Sequence, residues 1–481
     1  MAPFEDISLR ESMPPSVHEP DRTDAEQDTF DTGQDDWSQW ESHQKRAYVL
    51  VGSAVLQMPI WGKLIPYVLA TSSLIHVGFV MSYGVFQEYY SSNEIHLQGN
   101  REVTGIIGTT SNGVIYLSMP LLFALFTRRW ARWRQTAAWC GAILICISFL
   151  LSSFSTNVWQ LVATQGVMAS LGCALIYSPT TLSLGEWFTT SNRAVAYGGV
   201  LSCKNIVGST CPFLFRALLD RYGFRLALRI WTALATGTSV LAIFLVPTHP
   251  SKISVSARPT RKIPWQFLRH QTFYVYSVAI VLQSCGYGIP QTYLNTYAHE
   301  VTLLSQTSAT LLLTLFNIPG IASSTFFGYL SDSKRFSLSA TTVTSISAIS
   351  SALSAFLLWG LTSQGSMALL VMFAVTFGFF AGGYSATWGG VVNELEREAA
   401  ESNEAIDTGM VYGLLNGGRG IGYVSGGLAG VPLLKAGSVG SGSFGYGTIY
   451  GPLIIFTGLS SVFGGWGLLW KCNWKKLLHA V

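Results

Sequence analysis

The run SMALLVMFAVTFGFFAGGYSATWGGV, residues 366–391, contains no charged side chain and decides the fold class. A helix rises 1.5 Å per residue, so about 20 apolar residues cross the hydrocarbon core of a bilayer. Only helices and closed barrels satisfy all backbone hydrogen bonds in lipid, and this run is far longer than a barrel strand. The run therefore predicts a membrane-spanning helix.

Further apolar runs of similar length lie on both sides of this one. They cover residues 66–90, 104–127, 135–154, 158–180, 194–215, 226–247, 273–297, 307–330, 338–360, 408–431 and 448–470. Only 11% of the residues are charged, against about 25% in soluble domains, so most of the surface does not face water. We therefore predict an all-α membrane protein with twelve transmembrane helices.

The two ends and one connector differ from the apolar runs. Residues 1–46 hold twelve acids and four bases without apolar periodicity, which predicts a disordered acidic tail. Residues 47–65 are apolar but short and broken by proline, so we predict an interfacial segment, with a thirteenth span as the alternative. The Ser/Pro/basic linker 248–272 separates two six-helix halves, 66–247 and 273–470, and 471–481 form a C-terminal tail.

Basic residues fix the predicted orientation. The basic clusters 128–134, 252–269, 334–335 and 471–476 all fall on one side if the N-terminus is inside, as the positive-inside rule requires. Both tails and the linker are therefore predicted to be cytoplasmic. The acid-rich loop 393–407 falls on the same side, and we expect a solvated amphipathic turn there.

Three motifs resemble a known family of membrane proteins. They are SYGVFQEYY (82–90), GCALIYSPTTLSLGEWFTTSNRAVAYGGV (172–200) and GYLSDSKR (328–335), and each follows or joins the expected spans. In this order they resemble the major facilitator superfamily, and within it the fungal monocarboxylate-porter-like branch. The resemblance implies two six-helix halves that transport solutes by alternating access. It also implies a gate element at Asp332, Lys334 and Arg335, with a merely topological role for the two bases as the alternative.

The chain departs from the animal monocarboxylate carriers at positions that bear charge in those proteins. A lysine near the end of span one is replaced by Met81, and span eight offers Asn317 where those carriers have an Asp/Arg pair. Proton-linked lactate transport therefore does not follow from the resemblance alone.

Polar side chains share one helical face in four of the predicted spans, at 100° per residue. Because polar groups are costly in lipid, such faces favour a water-filled cavity, with polar helix packing as the alternative. The candidate cavity residues are His76, Tyr83, Gln87, Tyr197, Lys204, Gln283, Tyr287, Tyr412, Asn416, Arg419 and Tyr423.

Two of these candidates, Lys204 and Arg419, place a cation near the middle of an apolar span with no carboxylate at the same depth. An unpaired buried cation costs about 3 kcal/mol on insertion scales. Arg419 cannot lose its proton, which makes it the better candidate for binding an anion. A structural arginine that bonds helix carbonyls is the alternative. Glycines spaced along the same span predict close helix packing.

The sequence predicts a transporter of small organic solutes, with monocarboxylates, organic acids or an exported secondary metabolite as substrates. A non-transporting receptor on the same scaffold is the alternative. We expect a monomer in the plasma membrane, no enzyme activity, no cofactor or metal, and no nucleic-acid partner. His76 is the candidate carrier of a coupling proton, with a satisfied structural histidine as the alternative.

Overall fold

The computed structural model describes residues 79–92, 98, 103–127, 131–187, 193–245, 265–332, 338–440, 442 and 444–470. At 193–204, at Asp332 and at a few other helical positions only the backbone is described. The described chain consists mostly of helices and contains no strand, only one isolated bridge between Gln98 and Asn157. The membership of the chain in the all-α class is therefore confirmed.

The helices follow one another in the order of the predicted apolar runs. They are α1 (Tyr83–Ser92), α2 (Thr104–Thr127), α3 (Arg134–Ser152), α4 (Val158–Leu161, the π-helical Val162–Met168 and Ala169–Trp187), α5 (Arg193–Leu245), α6 (Gln271–Glu300), α7 (Gln306–Asp332), α8 (Ala340–Leu353 and the π-helical Ser354–Trp359), α9 (Met367–Gly383), α10 (Trp388–Glu401), α11 (Thr408–Lys435) and α12 (Gly451–Gly464). We call α1–α5 the N-terminal helices and α6–α12 the C-terminal helices.

Eight helical segments within the described ranges are long and apolar enough to cross a membrane. Helix α11 is not among them, because its many glycines, Asn416 and Arg419 lower its mean hydropathy. Helix α5 covers two predicted runs and breaks at Gly223, whose φ of 71° lies in the left-handed region that favours glycine. Of the predicted run 66–90, only the part from residue 79 is described.

The acid-rich segment after α9 differs from its prediction. A 3-10 turn at Tyr384–Thr387 leads directly into α10, so the expected turn at 393–407 is for the most part a helix. Its carboxylates bond to the start of α6: Tyr276 donates to Glu394 over 2.9 Å, and Thr272 donates to Glu398 over 2.7 Å. These partners lie far away in sequence, and they stabilise helical structure that the local acid-rich composition did not predict.

The N-terminal and C-terminal helices meet along three main seams. Helix α2 packs on α11, α5 packs on α7, and α1 packs on α6. Within each group, α3 packs on α4 and α5, while α12 packs on α6 and α8. The bundle therefore has an interface between the two groups in which side chains from both can meet.

Glycines of α11 allow the closest of these contacts. A Cβ atom added at Gly420 would lie 2.5 Å from the backbone nitrogen of Leu117 in α2. One added at Gly426 would overlap the carbonyl oxygen of Cys285 in α6. Neither position has room for a side chain, so the predicted packing role is confirmed for these two glycines of α11.

This packing predicts opposite effects of alanine at two positions of α11. Gly426→Ala should lower the free energy of unfolding by about 1–3 kcal/mol, because the methyl group meets backbone that cannot move aside. Gly418→Ala should be neutral or slightly stabilising, since its nearest neighbour would be 3.5 Å away and alanine favours helix. Thermal unfolding of the two purified variants in mild detergent measures the difference. Equal melting temperatures would contradict the close α11–α6 contact.

Candidate functional site

Arg419 lies in the middle of α11 and is enclosed by aromatic rings. Its side chain is buried, with 6% of the residue exposed. The guanidinium carbon lies 4.9 Å from the ring centre of Tyr116, 5.5 Å from those of Tyr287 and Tyr423, and 5.6 Å from that of Trp388. We call these five residues the Arg419 cluster.

Four helices contribute to the Arg419 cluster. Tyr116 belongs to α2 and Tyr287 to α6. Trp388 is the first residue of α10, and Tyr423 lies one turn beyond Arg419 on α11. Tyr116 and Tyr423 stack at 5.9 Å with an angle of 15° between their rings. Because Tyr116 is the one member from the N-terminal helices, the cluster spans the interface between the two groups.

The charge of Arg419 is balanced by aromatic faces rather than by a carboxylate. Among the described residues it forms no ion pair, and its one hydrogen bond is a long one, 3.4 Å from Nη2 to the Tyr423 hydroxyl. A desolvated cation–π contact contributes about 2 kcal/mol. Several such contacts can offset much of the desolvation cost of the guanidinium without neutralising it.

Two buried donors of the cluster have no acceptor within the described part of the chain. They are Nε of Arg419 and the indole nitrogen of Trp388. A buried donor without an acceptor costs about 1–3 kcal/mol. A carboxylate matches the chemistry of this positive charge and these two N–H groups, because a carboxylate accepts several hydrogen bonds and carries the opposite charge.

The structure brings some predicted cavity residues into or beside this cluster. Arg419, Tyr287 and Tyr423 belong to it. Tyr412 packs edge-on against Trp388 at 5.9 Å. Asn416 lies on the same face of α11, and its amide donates to the carbonyl of Tyr412 over 2.8 Å.

Other predicted cavity residues lie elsewhere in the bundle. The Tyr83 hydroxyl donates to the carbonyl of Thr104 over 2.6 Å, where α2 begins. Gln87 is buried in α1 with no partner for Oε1 among the described residues. Gln283 packs against α12: a Cβ atom added at Gly464 would lie 2.7 Å from the Cβ atom of Gln283.

The remaining candidates fall outside the described side chains. His76, Lys334 and Arg335 lie outside the described residues, and of Tyr197, Lys204 and Asp332 only the helical backbone is described. The second predicted cation and the gate element therefore stay predictions.

The sequence analysis did not identify Tyr116 and Trp388, which are two of the four aromatic residues around Arg419. Tyr116 shares one face of α2 with Thr109 and Asn112, seven and four positions earlier, so a polar face was an available signal for it. Trp388 is the first residue of α10 and meets Arg419 only through packing between helices. Residue type was a further signal, because arginine in a dry environment favours contact with aromatic faces.

Comparison with known proteins supports the same conclusion as the fold. Residues 64–427 match the sequence model of the Major Facilitator Superfamily. The chain belongs to the Major Facilitator Superfamily. An MFS-type transporter of Gibberella moniliformis is 28% identical over 63% of this chain and 70% of its own length. Monocarboxylate transporter 13 of Rattus norvegicus is 28% identical over 78% of this chain and 81% of its own.

A third relative has a more specific name. The fujikurins efflux protein of Gibberella fujikuroi is 23% identical over 53% of this chain and 53% of its own length. The family and these relatives confirm the predicted function: the protein is a multi-pass membrane transporter. They indicate transport rather than catalysis.

The cation–π interactions of Arg419 predict a measurable coupling with Tyr287. Tyr287→Leu should lower the free energy of unfolding by about 1–2 kcal/mol more when Arg419 is present than in an Arg419→Met background. The reason is that arginine interacts with the face of the tyrosine ring, whereas methionine carries no charge to do so. A double-mutant cycle by denaturant titration in detergent measures this difference. Phe377→Leu is the matched control. The ring of Phe377 stacks on Tyr287 at 6.4 Å and makes no described contact with Arg419. The stability change caused by Phe377→Leu should therefore be the same with and without Arg419. A coupling energy near zero for Tyr287 would contradict the role of its ring.

Proposed function

We propose that this transporter carries organic anions with a carboxylate group by alternating access, and that Arg419 binds the carboxylate. The observation that carries the proposal is a buried guanidinium enclosed by four aromatic rings and lacking a described carboxylate partner. A substrate carboxylate would supply the missing counter-charge. The transport is secondary active or facilitative.

The proposed architecture has twelve spans in two halves, 66–247 and 273–470, joined by the cytoplasmic linker 248–272. The acidic tail 1–46 and the tail 471–481 are cytoplasmic, segment 47–65 is interfacial, and the protein acts as a monomer in the plasma membrane. Support comes from the order of the described helices, which follows the apolar runs, and from the distribution of basic residues.

The chemistry of the walls favours a substrate with a planar or aromatic portion. Rings of tyrosine and tryptophan offer large apolar faces and prefer offset stacking or edge-on contact with other rings. Two of the relatives are named for monocarboxylate transport and for fujikurins efflux. Monocarboxylates and larger carboxylated metabolites exported by the cell therefore form the proposed substrate class.

The origin of the cluster members supports alternating access. Tyr116 belongs to the N-terminal helices, whereas Arg419, Tyr287, Trp388 and Tyr423 belong to the C-terminal helices. A rocking motion of one group against the other changes the distance between Tyr116 and Arg419 and exposes the site to one side of the membrane. The bound anion moves with the cation that holds it.

Uptake into proteoliposomes tests this proposal with radiolabelled benzoate and lactate as probes and benzamide as the neutral analogue. The wild-type protein should take up at least one of the acids saturably and should discriminate against benzamide. Arg419→Gln should lower the uptake at least about tenfold, since loss of a charge-assisted bond of about 1.5–3 kcal/mol corresponds to this factor. Trp388→Phe, which loses only a neutral donor, should lower it less.

Arg397→Gln is the matched control for this experiment. Arg397 lies on α10 with its side chain 69% exposed and next to Glu401, so its loss removes the same charge away from the cluster. Its uptake should equal that of the wild-type protein. Benzoate or lactate uptake that is unchanged in a folded Arg419→Gln variant would reject Arg419 as the anion-binding residue.

A further inference from the structure

A second buried charge lies at one end of the bundle, away from the Arg419 cluster. Glu88 of α1 has a side chain that is only 1% exposed, and its Oε2 lies 2.6 Å from Nη2 of Arg216 in α5. Gln306 of α7 donates to Oε1 over 3.1 Å, and Asn295 of α6 donates to Oε2 over 3.4 Å. We call these four residues the Glu88 cluster.

The Glu88 cluster joins the two groups of helices. Glu88 and Arg216 belong to the N-terminal helices, while Asn295 and Gln306 belong to the C-terminal helices. Asn295 lies near the end of α6 and Gln306 is the first residue of α7, so both lie beside the short connection between these helices. If the two groups separated here, the ion pair would remain whole and the carboxylate would lose its two amide donors.

One acceptor beside this carboxylate is unsatisfied. Asn295 donates its amide to Glu88, and its Oδ1 is buried without a partner within the described part of the chain. A buried unpaired acceptor is unfavourable, but the penalty disappears once water reaches the atom. Opening of the interface at this point would therefore relieve the cost of the unpaired oxygen.

We propose that the Glu88 cluster is a latch that holds the two groups of helices together at this end, and that its release opens this end of the bundle. The carboxylate is the shared acceptor, and the donors from α6 and α7 close the latch. The latch acts on the position of the helices and does not depend on which solute the Arg419 cluster binds. Its failure would leave the proposed substrate class untouched.

Two exposed positions beside the latch allow its state to be measured without any substrate. Tyr222 belongs to α5 and is 47% exposed, next to Gly223, where an added Cβ atom would lie 3.7 Å from the Tyr89 hydroxyl. Thr307 follows Gln306 in α7 and is exposed. Spin labels at Tyr222→Cys and Thr307→Cys, in a chain with its native cysteines replaced, report the separation of the two groups at this end.

Electron double resonance in nanodiscs should give one dominant short distance in the labelled parent protein. Glu88→Gln should raise the population of a longer distance at least about tenfold, the change expected from loss of one charge-assisted hydrogen bond. Gln306→Leu should shift the distances in the same direction although it leaves the Glu88–Arg216 ion pair whole. This second variant separates a latch from an ion pair that is merely structural, and it keeps the test decisive if Glu88→Gln does not fold.

Glu300→Gln provides the matched control. Glu300 of α6 accepts a hydrogen bond of 2.7 Å from the hydroxyl of Tyr450, which directly precedes α12, so this contact lies within the C-terminal part of the bundle. This substitution removes the same charge from the end of α6 without touching a contact between the groups, so the distances should not change. The proposal is overturned if Gln306→Leu and any folded Glu88→Gln protein leave the distances unchanged, or if Glu300→Gln shifts them equally.

Discussion

The guanidinium of Arg419 is held in the bundle without a described carboxylate partner, and the surrounding structure is arranged around this constraint. A charge in a low-dielectric interior must be stabilised by its neighbours. Here the neighbours are the negative faces of aromatic rings from four helices, which must approach closely enough to surround one side chain. The glycines of α11 permit this approach, because they bring α2 and α6 against its backbone.

The enclosure also explains how a guanidinium without a described carboxylate partner can be stable inside the bundle. A guanidinium with a fixed carboxylate partner would be neutralised and would bind a second anion weakly. Aromatic faces instead stabilise the cation while leaving its charge and its Nε donor available. The result is a buried cation whose charge and donor group are available to an anion, as the proposed function requires.

Much of the fold could be predicted from the sequence because lipid imposes a strong and simple rule. Long apolar runs must become helices, and within the described residues the runs lie in helices, with 194–215 and 226–247 both in α5. Arg419 could be found for the same reason, since a charge in such a run is conspicuous. Its face on α11 correctly placed Tyr423 beside it, because residues four apart on a helix are neighbours.

Contacts between helices were beyond this reasoning. Helical periodicity gives the face of each residue but not the helix that the face meets, so Tyr116 and Trp388 remained hidden. Glu88 lies near the end of a predicted span, where a carboxylate normally faces water, and its burial depends on donors more than 120 positions away in the chain. The helix α10 was missed because its acids are bonded by the distant start of α6 rather than by local neighbours.

The glycine seam between α2 and α11 has a mechanical consequence. Backbone lies directly against backbone at Gly420 and Leu117, and side chains of α2 fill the space opposite Gly413 and Gly417. Interiors packed at crystal-like density resist sliding, because interlocked side chains would have to disengage first. The two helices are therefore held in one register, and a tilt of one part of the protein over the other would have to pivot about this seam or pull it apart.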